Sequence, residues 1–223
     1  MAVFLSGGVD SSLLAALSEK TVAFHLESSE QKYAQSAADF LDIPFVCVGN
    51  ITLSAQEIDK LLLEYAMNSG QIYSSALQPQ ITCRAMFQNN IKVGISANGA
   101  DELFLGYHSI PSPNLFETVI PSHEQSSVRT IEDQMQHIFS YPDNFGKKAT
   151  KIQKELLRNF FEEEKKDFEK LATSLGEEAA HRMYHLQTYV KNDLNPNLDH
   201  ASMLYGIEIR VPFLDTRIVD FAL

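Results

Sequence analysis

The chain has 223 residues, of which 44% are apolar, and a formal net charge of −11. That length and composition suffice to bury one large core or two small ones, and they exclude an intrinsically disordered chain. The negative balance repels nucleic acid phosphate and acidic lipid, so no nucleic acid and no membrane is expected as a partner.

No apolar run approaches the roughly 18 residues of a membrane span, and no basic region followed by a long apolar stretch opens the chain; a cytoplasmic protein is the expectation. Cys47 and Cys83 give neither a disulfide framework nor a paired zinc spacing. Cys47, inside FVCV, reads as a small buried hydrophobe, and Cys83 as a helix residue.

In chain order, residues 2–5 read as a buried strand and 10–19 as a helix with Leu13, Leu14 and Leu17 on one side. A strand over 21–26, a helix over 30–42 and a strand over 44–49 follow. The helix expected over 54–70 starts with Ser54 and has Glu57 three residues on, the capping-box spacing. A helix over 77–90 leads to a strand over 92–97 and a short helix over 101–107. This alternation predicts an α/β fold, a parallel sheet with helices on both faces and right-handed crossovers. Residues 111–122 form a Pro- and Ser-rich connection, and 126–192 read as charged and helical. Glu162 to Glu164 with Lys165 and Lys166 form a solvated helix face with i to i+4 pairs. The final stretch, from Asn192, turns apolar again and is expected to fold against the core. The organisation is thus a single domain over 1–223, with an α/β core over 1–110 and a mostly helical part over 111–223 that completes the site.

Between the first strand and helix stands SGGVDSS, Ser6 to Ser12. A glycine-rich turn at a helix N-terminus points backbone amides at an anion, and serine hydroxyls add donors. The loop lacks both the Gly-Lys-Ser/Thr ending of a Walker loop and the spacing of a dinucleotide turn. Asp10 would repel a phosphate unless a cation lay between, and Mg²⁺ is the cation that takes carboxylate and phosphate together. The alternative is an ordinary helix start with Asp10 or Ser6 as N-cap, but all seven residues after a strand favour the anion site. A second loop, Asn98-Gly99-Ala100-Asp101-Glu102, follows the strand at 92–97, on the sheet edge where ligands of open parallel sheets bind. Asp101 can share the metal with Asp10; alone, it reads as a helix cap.

These motifs carry a resemblance. SGGVDSS resembles the pyrophosphate loop of the N-type ATP pyrophosphatases. ISANGADELFLGY (95–107) and LNPNLDHASMLYGIEIRVPFLDTRIVDFAL (194–223) resemble two further signatures of the asparagine synthetase family, in the same order. The resemblance implies a synthetase-type domain of the PP-loop fold, binding ATP and Mg²⁺. Such a domain adenylates a carboxylate, aspartate in the parent enzymes, with release of pyrophosphate; ammonia or an amine then displaces AMP. It places the pyrophosphate on Ser6, Gly7, Gly8, Val9, Asp10, Ser11 and Ser12, the metal on Asp10 and Asp101, and the AMP against Leu5, Ser96, Ala97 and Gly99. Adenine packs near His25 and Leu26, although His25 reads equally as a satisfied core histidine. Catalytic roles fall on Asp10, Asp101, Glu102 and Asn98. Glu208, Arg210 and Asp215 are expected as structural ion pairs closing the site, with Arg210 a second candidate for neutralising phosphate.

Departures from the family pattern carry expectations of their own. Ala2 follows Met1 where glutamine-hydrolysing members carry a nucleophilic cysteine and its domain, so no N-terminal glutaminase domain is expected. Free ammonia, an amine or a separate glutaminase subunit would supply the nitrogen, and a homo-oligomer is admitted. Asn98 stands where the family has Asp or Glu, and an amide is no general base. The family's downstream lysine has no counterpart before Leu223, which leaves Lys147, Lys148 or Lys191 as substitutes. His200 replaces an Arg, and Leu105 a Gly. A degenerate nucleotide-binding subunit is the non-catalytic alternative; a tRNA-modifying PP-loop enzyme is disfavoured by the acidic charge.

Overall fold

The computed structural model describes residues 1–49, 53–70, 73, 75–106, 155, 159, 163 and 166–223. The Pro- and Ser-rich connection, Tyr107, Lys147, Lys148, Glu162, Glu164 and Lys165 lie outside the described residues. The strands are β1 (Ala2–Phe4), β2 (Val22–Leu26), β3 (Phe45–Val48), β4 (Val93–Ile95) and β5 (Glu208–Arg210). The helices are α1 (Val9–Leu17), α2 (Gln31–Phe40), α3 (Ala55–Ser69), α4 (Leu77–Gln88), α5 (Ala100–Phe104), α6 (Glu177–His185), α7 (Asn195–Met203) and α8 (Thr216–Ala222). Two compact units result: Met1–Ala100 with Gln187–Phe221, and Asp101–Leu186 with Ala222–Leu223.

In the first unit all five strands are parallel, in the order β3-β2-β1-β4-β5. The chain winds outward from β1 to β3, then returns past β1 to add β4 and β5. With right-handed crossovers this reversal puts helices on both faces, as the alternating pattern predicts. Ala2 and Phe24 pack on Cys83 and Met86 of α4 and on Ile207, with Phe4, Val46 and Ile209 at the margin. Burial of a side chain the size of Phe24 stabilises by about 2–3 kcal/mol. A second cluster joins α3 to α7 through Tyr65, Ala76 and Ala201. The Tyr65 hydroxyl donates to Asn197 Oδ1 at 2.9 Å and Asn197 Nδ2 donates to Ser75 Oγ at 2.8 Å.

The expected capping box is present. Glu57 N–H donates to Ser54 Oγ and Ser54 N–H to Glu57 Oε2, and Gly70 ends α3 in the left-handed region. Cys83 lies on α4, as expected, and is buried there.

Two expectations are corrected. Cys47 is exposed, because β3 is the edge of the sheet. In α1 the inward residues are Ser11, Leu14 and Ala15, while Leu13 and Leu17 face solvent. The helix is turned so that Ser11 reaches Ser6, and the small side chains let it approach the sheet. β5 is an element the sequence reading did not resolve, and so is the π-helix over Leu186–Leu194 that leads into α7.

The second unit is helical in its described residues, including 166–175 and α6. Phe168 packs against His181 with the rings tilted at 51° and their centroids 4.8 Å apart. Burial lowers the pKa of His181 and His185; for His185 the charge of buried Glu102 opposes that shift. No helix among the described residues is long and apolar enough to cross a membrane.

Candidate nucleotide site

The chain leaves β1 through Leu5, whose N–H donates to Phe24 O, and enters the glycine loop. Gly7 has φ +87°, and a Cβ there would stand 2.4 Å from the carbonyl carbon of Tyr33 and 2.5 Å from Ala34 N. Only glycine fits, since both obstacles are backbone. Ser6 N–H donates to Ser11 Oγ at 3.1 Å, the two hydroxyls lie 2.9 Å apart, and Gly8 N–H donates to Ser6 Oγ at 3.2 Å. These bonds fold the loop onto the first turn of α1. The N-cap is Gly8, with no side-chain cap, so neither Asp10 nor Ser6 plays the capping role. Uncapped first-turn amides at the positive end of a helix dipole suit an anion. Asp10 is half-buried in that turn, and Val9 is exposed.

The second loop is built from residues far apart in the chain. Ser96 N–H donates to Arg210 O of β5 at 2.9 Å. Ser96 Oγ donates to Asn98 Oδ1 at 2.8 Å, and Asn98 Nδ2 reaches Asn195 Oδ1 at 3.5 Å. Gly99 has φ +92°, with Leu214 Cδ2 2.3 Å from where a Cβ would be. Ala97 closes the turn by accepting from Ala100 N–H.

A cavity of about 490 Å³ opens at the carboxyl edge of β1, β2 and β4, where the strand order reverses. Six expected residues line it: Leu5, Ser6, His25, Leu26, Ser96 and Asn98. Gly7, Gly8, Val9, Asp10, Ser11, Ser12, Ala97 and Gly99 do not line this cavity; they form the two loops at its rim. Sequence reasoning missed Glu27 and Ser28 after β2, Gln78, Pro79 and Thr82 of α4, and Asn197 and Leu198 of α7. The position of Glu27 at a strand end was the one available signal for any of them.

His25 is buried, with Nδ1 2.8 Å from Leu5 O and Nε2 3.1 Å from Ser28 Oγ. It is therefore a satisfied interior histidine that ties the end of β1 to that of β2 and also lines the cavity. Glu208 pairs with Arg210 at 2.7 Å, and Asp215 with Arg217 at 2.9 Å. Hydrogen bonds from Arg217 hold Asp215 down to about 2. Both pairs join near neighbours in sequence and are largely solvated, so they contribute little. None of Glu208, Arg210 and Asp215 lines the cavity. Lys191 is exposed and does not line it either.

Asp101 and Glu102 open α5 and belong to the second unit, where Gly106 N–H donates to Asp101 O. Leu105, standing where the family string has Gly, adopts φ +56°, the left-handed region that favours glycine. Among the described residues no three His, Cys, Asp or Glu side chains group to hold a metal ion. Mg²⁺ that arrives with a nucleotide needs only one or two carboxylates beside the phosphates, which the half-buried Asp10 in the first turn of α1 fits.

A parallel sheet with this reversal, a glycine loop at its first strand and a helical C-terminal part define an α/β protein of the PP-loop type. The family model described as asparagine synthase matches residues 1–223, and the chain belongs to that family. It is similar to two curated proteins named "Putative asparagine synthetase (glutamine-hydrolyzing)", one from Mycobacterium bovis and one from Mycobacterium tuberculosis. Each is 24% identical over 251 residues, covering 98% of this chain and 38% of the relative. The chain thus spans well under half the length of the curated relatives it matches.

Proposed function

We propose that the chain is an ATP-dependent, AMP-forming carbon–nitrogen ligase whose acceptor is a small carboxylate, aspartate by analogy with its family. A carboxylate oxygen of the acceptor attacks the α-phosphorus of ATP, and the bond to the bridging oxygen of pyrophosphate breaks. Ammonia or an amine then attacks the acyl carbon, AMP leaves, and the surplus proton passes to solvent. The amides of Gly7, Val9, Asp10 and Ser11 and the hydroxyls of Ser6 and Ser12 receive the charge that grows on the leaving pyrophosphate, the work of preorganised donors. Asp10 and Asp101 are the carboxylates proposed for Mg²⁺, which when bound would neutralise phosphate charge and polarise the reacting phosphorus. Leu5, Leu26, Ser96, Ala97 and Gly99 frame the nucleoside monophosphate. A separate glutaminase subunit is a possible source of the ammonia.

The supporting observation is the uncapped glycine turn of α1 beside a cavity of about 490 Å³ at the point where the strand order reverses. Pyrophosphate release with Mg-ATP, measured over a panel of carboxylates with and without ammonium, tests the reading. Release that needs both aspartate and ammonium is the expected result; no release with any acceptor contradicts catalysis. One observation favours a second reading, nucleotide binding without turnover. Asn98 spends its amide oxygen on Ser96 and turns its nitrogen to Asn195, so it offers no base for the incoming nitrogen. Under that reading ATP binds and pyrophosphate stays at background.

A further inference from the structure

We infer that Glu27 is the specificity residue of the cavity, its carboxylate accepting hydrogen bonds from the 2′- and 3′-hydroxyls of a ribonucleotide. The inference rests on the proposed nucleotide site and deepens it, because nothing in the family motifs points to this residue.

Glu27 directly follows Leu26, the last residue of β2, and its N–H is anchored to Val48 O at 2.8 Å. It lines the cavity and is half-buried. Its charge is felt at Cys47, where partial desolvation and then Glu27 raise the thiol pKa. Among the described residues no hydrogen bond or ion pair engages its carboxylate. A carboxylate is an acceptor only, so a ligand group placed against it must be a donor.

The layout of the edge selects which donor. The loop of amides and hydroxyls stands at the end of β1, and the carboxylates of Glu27 and Glu30 stand at the end of β2, the neighbouring strand about 4.8 Å away. Phosphates are attracted to the first position and repelled from the second, which fixes the direction in which a nucleotide lies. The sugar, one bond beyond the α-phosphate, then falls toward β2, while Phe4, Phe24, Leu26, Pro79 and Leu198 offer an apolar floor for the base. Glu27 stands 19 positions after Gly8. That places an acceptor-only carboxylate at the end of the second strand, beside the glycine turn that ends the first.

The test compares the binding of Mg-ATP, Mg-2′-deoxy-ATP, Mg-3′-deoxy-ATP and Mg-inosine triphosphate by titration calorimetry, on the wild type, Glu27→Ala and Glu27→Gln. A hydrogen bond to a charged group corresponds to about a ten- to hundredfold change in affinity. The wild type is expected to prefer ATP over the deoxy analogues by about that factor. Glu27→Ala should bind all three alike, no more tightly than the wild type binds the deoxy forms, each of which keeps one hydroxyl for the carboxylate, and Glu27→Gln, which keeps one acceptor oxygen, should retain part of the preference. Equal affinity of the wild type for ATP and its deoxy forms overturns the inference while leaving the ATP reading intact. A preference against inosine triphosphate that Glu27→Ala abolishes overturns it too, since the carboxylate would then be reading the amino group of the base. Failure of the wild type to bind any of the four contradicts the nucleotide site itself.

Discussion

The two loops at the carboxyl edge of the first unit are both glycine turns after a strand, but they are held in different ways. The Ser6–Ser12 loop supports itself: Ser6, Gly8 and Ser11 bond to one another within six residues. The Ser96–Gly99 loop depends on Asn195, Arg210 and Leu214, residues about a hundred positions away. The first can therefore form as soon as α1 docks on β1. The second takes its shape only once β5 and the segment after it are in place, so the tail supports the loop through backbone and packing.

Glycine replacements expose the contrast most strongly. Gly7→Ala should destabilise by about 3–5 kcal/mol, because its Cβ meets the backbone of α2 at a positive φ. Thermal unfolding measures it, and no second-site change nearby should restore the loss. Gly99→Ala meets the Leu214 side chain, which can move, so about 1–2 kcal/mol is expected. Adding Leu214→Ala should make the double variant more stable than the sum of the single effects predicts, by a measurable interaction energy. Simple additivity would break the claim that Leu214 packs under the second loop. Ser11→Ala removes the hydroxyl that receives Ser6 N–H and should destabilise by about 1 kcal/mol, with a larger effect on nucleotide affinity than on unfolding.

The weakest dependence is that of the tail on its surface charges. Arg217 depresses the Asp215 pKa from 3.8 to about 2. A depressed carboxylate pKa contributes stability above its unfolded value, and that contribution is lost as pH falls through about 4 toward 2. Because Asp215 is partly exposed and its partner Arg217 is exposed, Asp215→Asn should leave the Tm at pH 7 unchanged within about 1 °C. The second unit behaves differently. Burial of His181 and partial burial of His185 disfavour their protonation, so between about pH 7.5 and 5.5 the unfolded chain takes up protons that the folded one does not, and stability falls on acidification. A melting temperature that is flat over that range contradicts their burial.

What the sequence made legible follows the same division. The glycine turn, the alternation of strands and helices and the Ser54–Glu57 capping box are local patterns with local causes, and each stands where it was expected. β5 did not show itself, because three residues, Glu208, Ile209 and Arg210, are too short for a period-two signal, and the strand exists by pairing with β4. The exposure of Cys47 could not be read because strand order decides which strand is the edge. The outward turn of Leu13 and Leu17 arises from the inward demand of Ser11, a hydrogen-bonding requirement that hydrophobic periodicity does not register. A third of the residues lining the cavity were legible for the same reason: residues in motifs appeared, and the walls contributed by α4 and α7 did not.

The central claim is that the first loop and Asp10 serve activation by ATP. Pyrophosphate release from Mg-ATP with aspartate and ammonium, compared between the wild type and Asp10→Ala, tests it most directly, with circular dichroism confirming that the variant is folded. The account predicts release by the wild type and its loss in the variant by at least about a hundredfold, the scale for removal of a group that stabilises transition-state charge. A folded Asp10→Ala that releases pyrophosphate at the wild-type rate would contradict it.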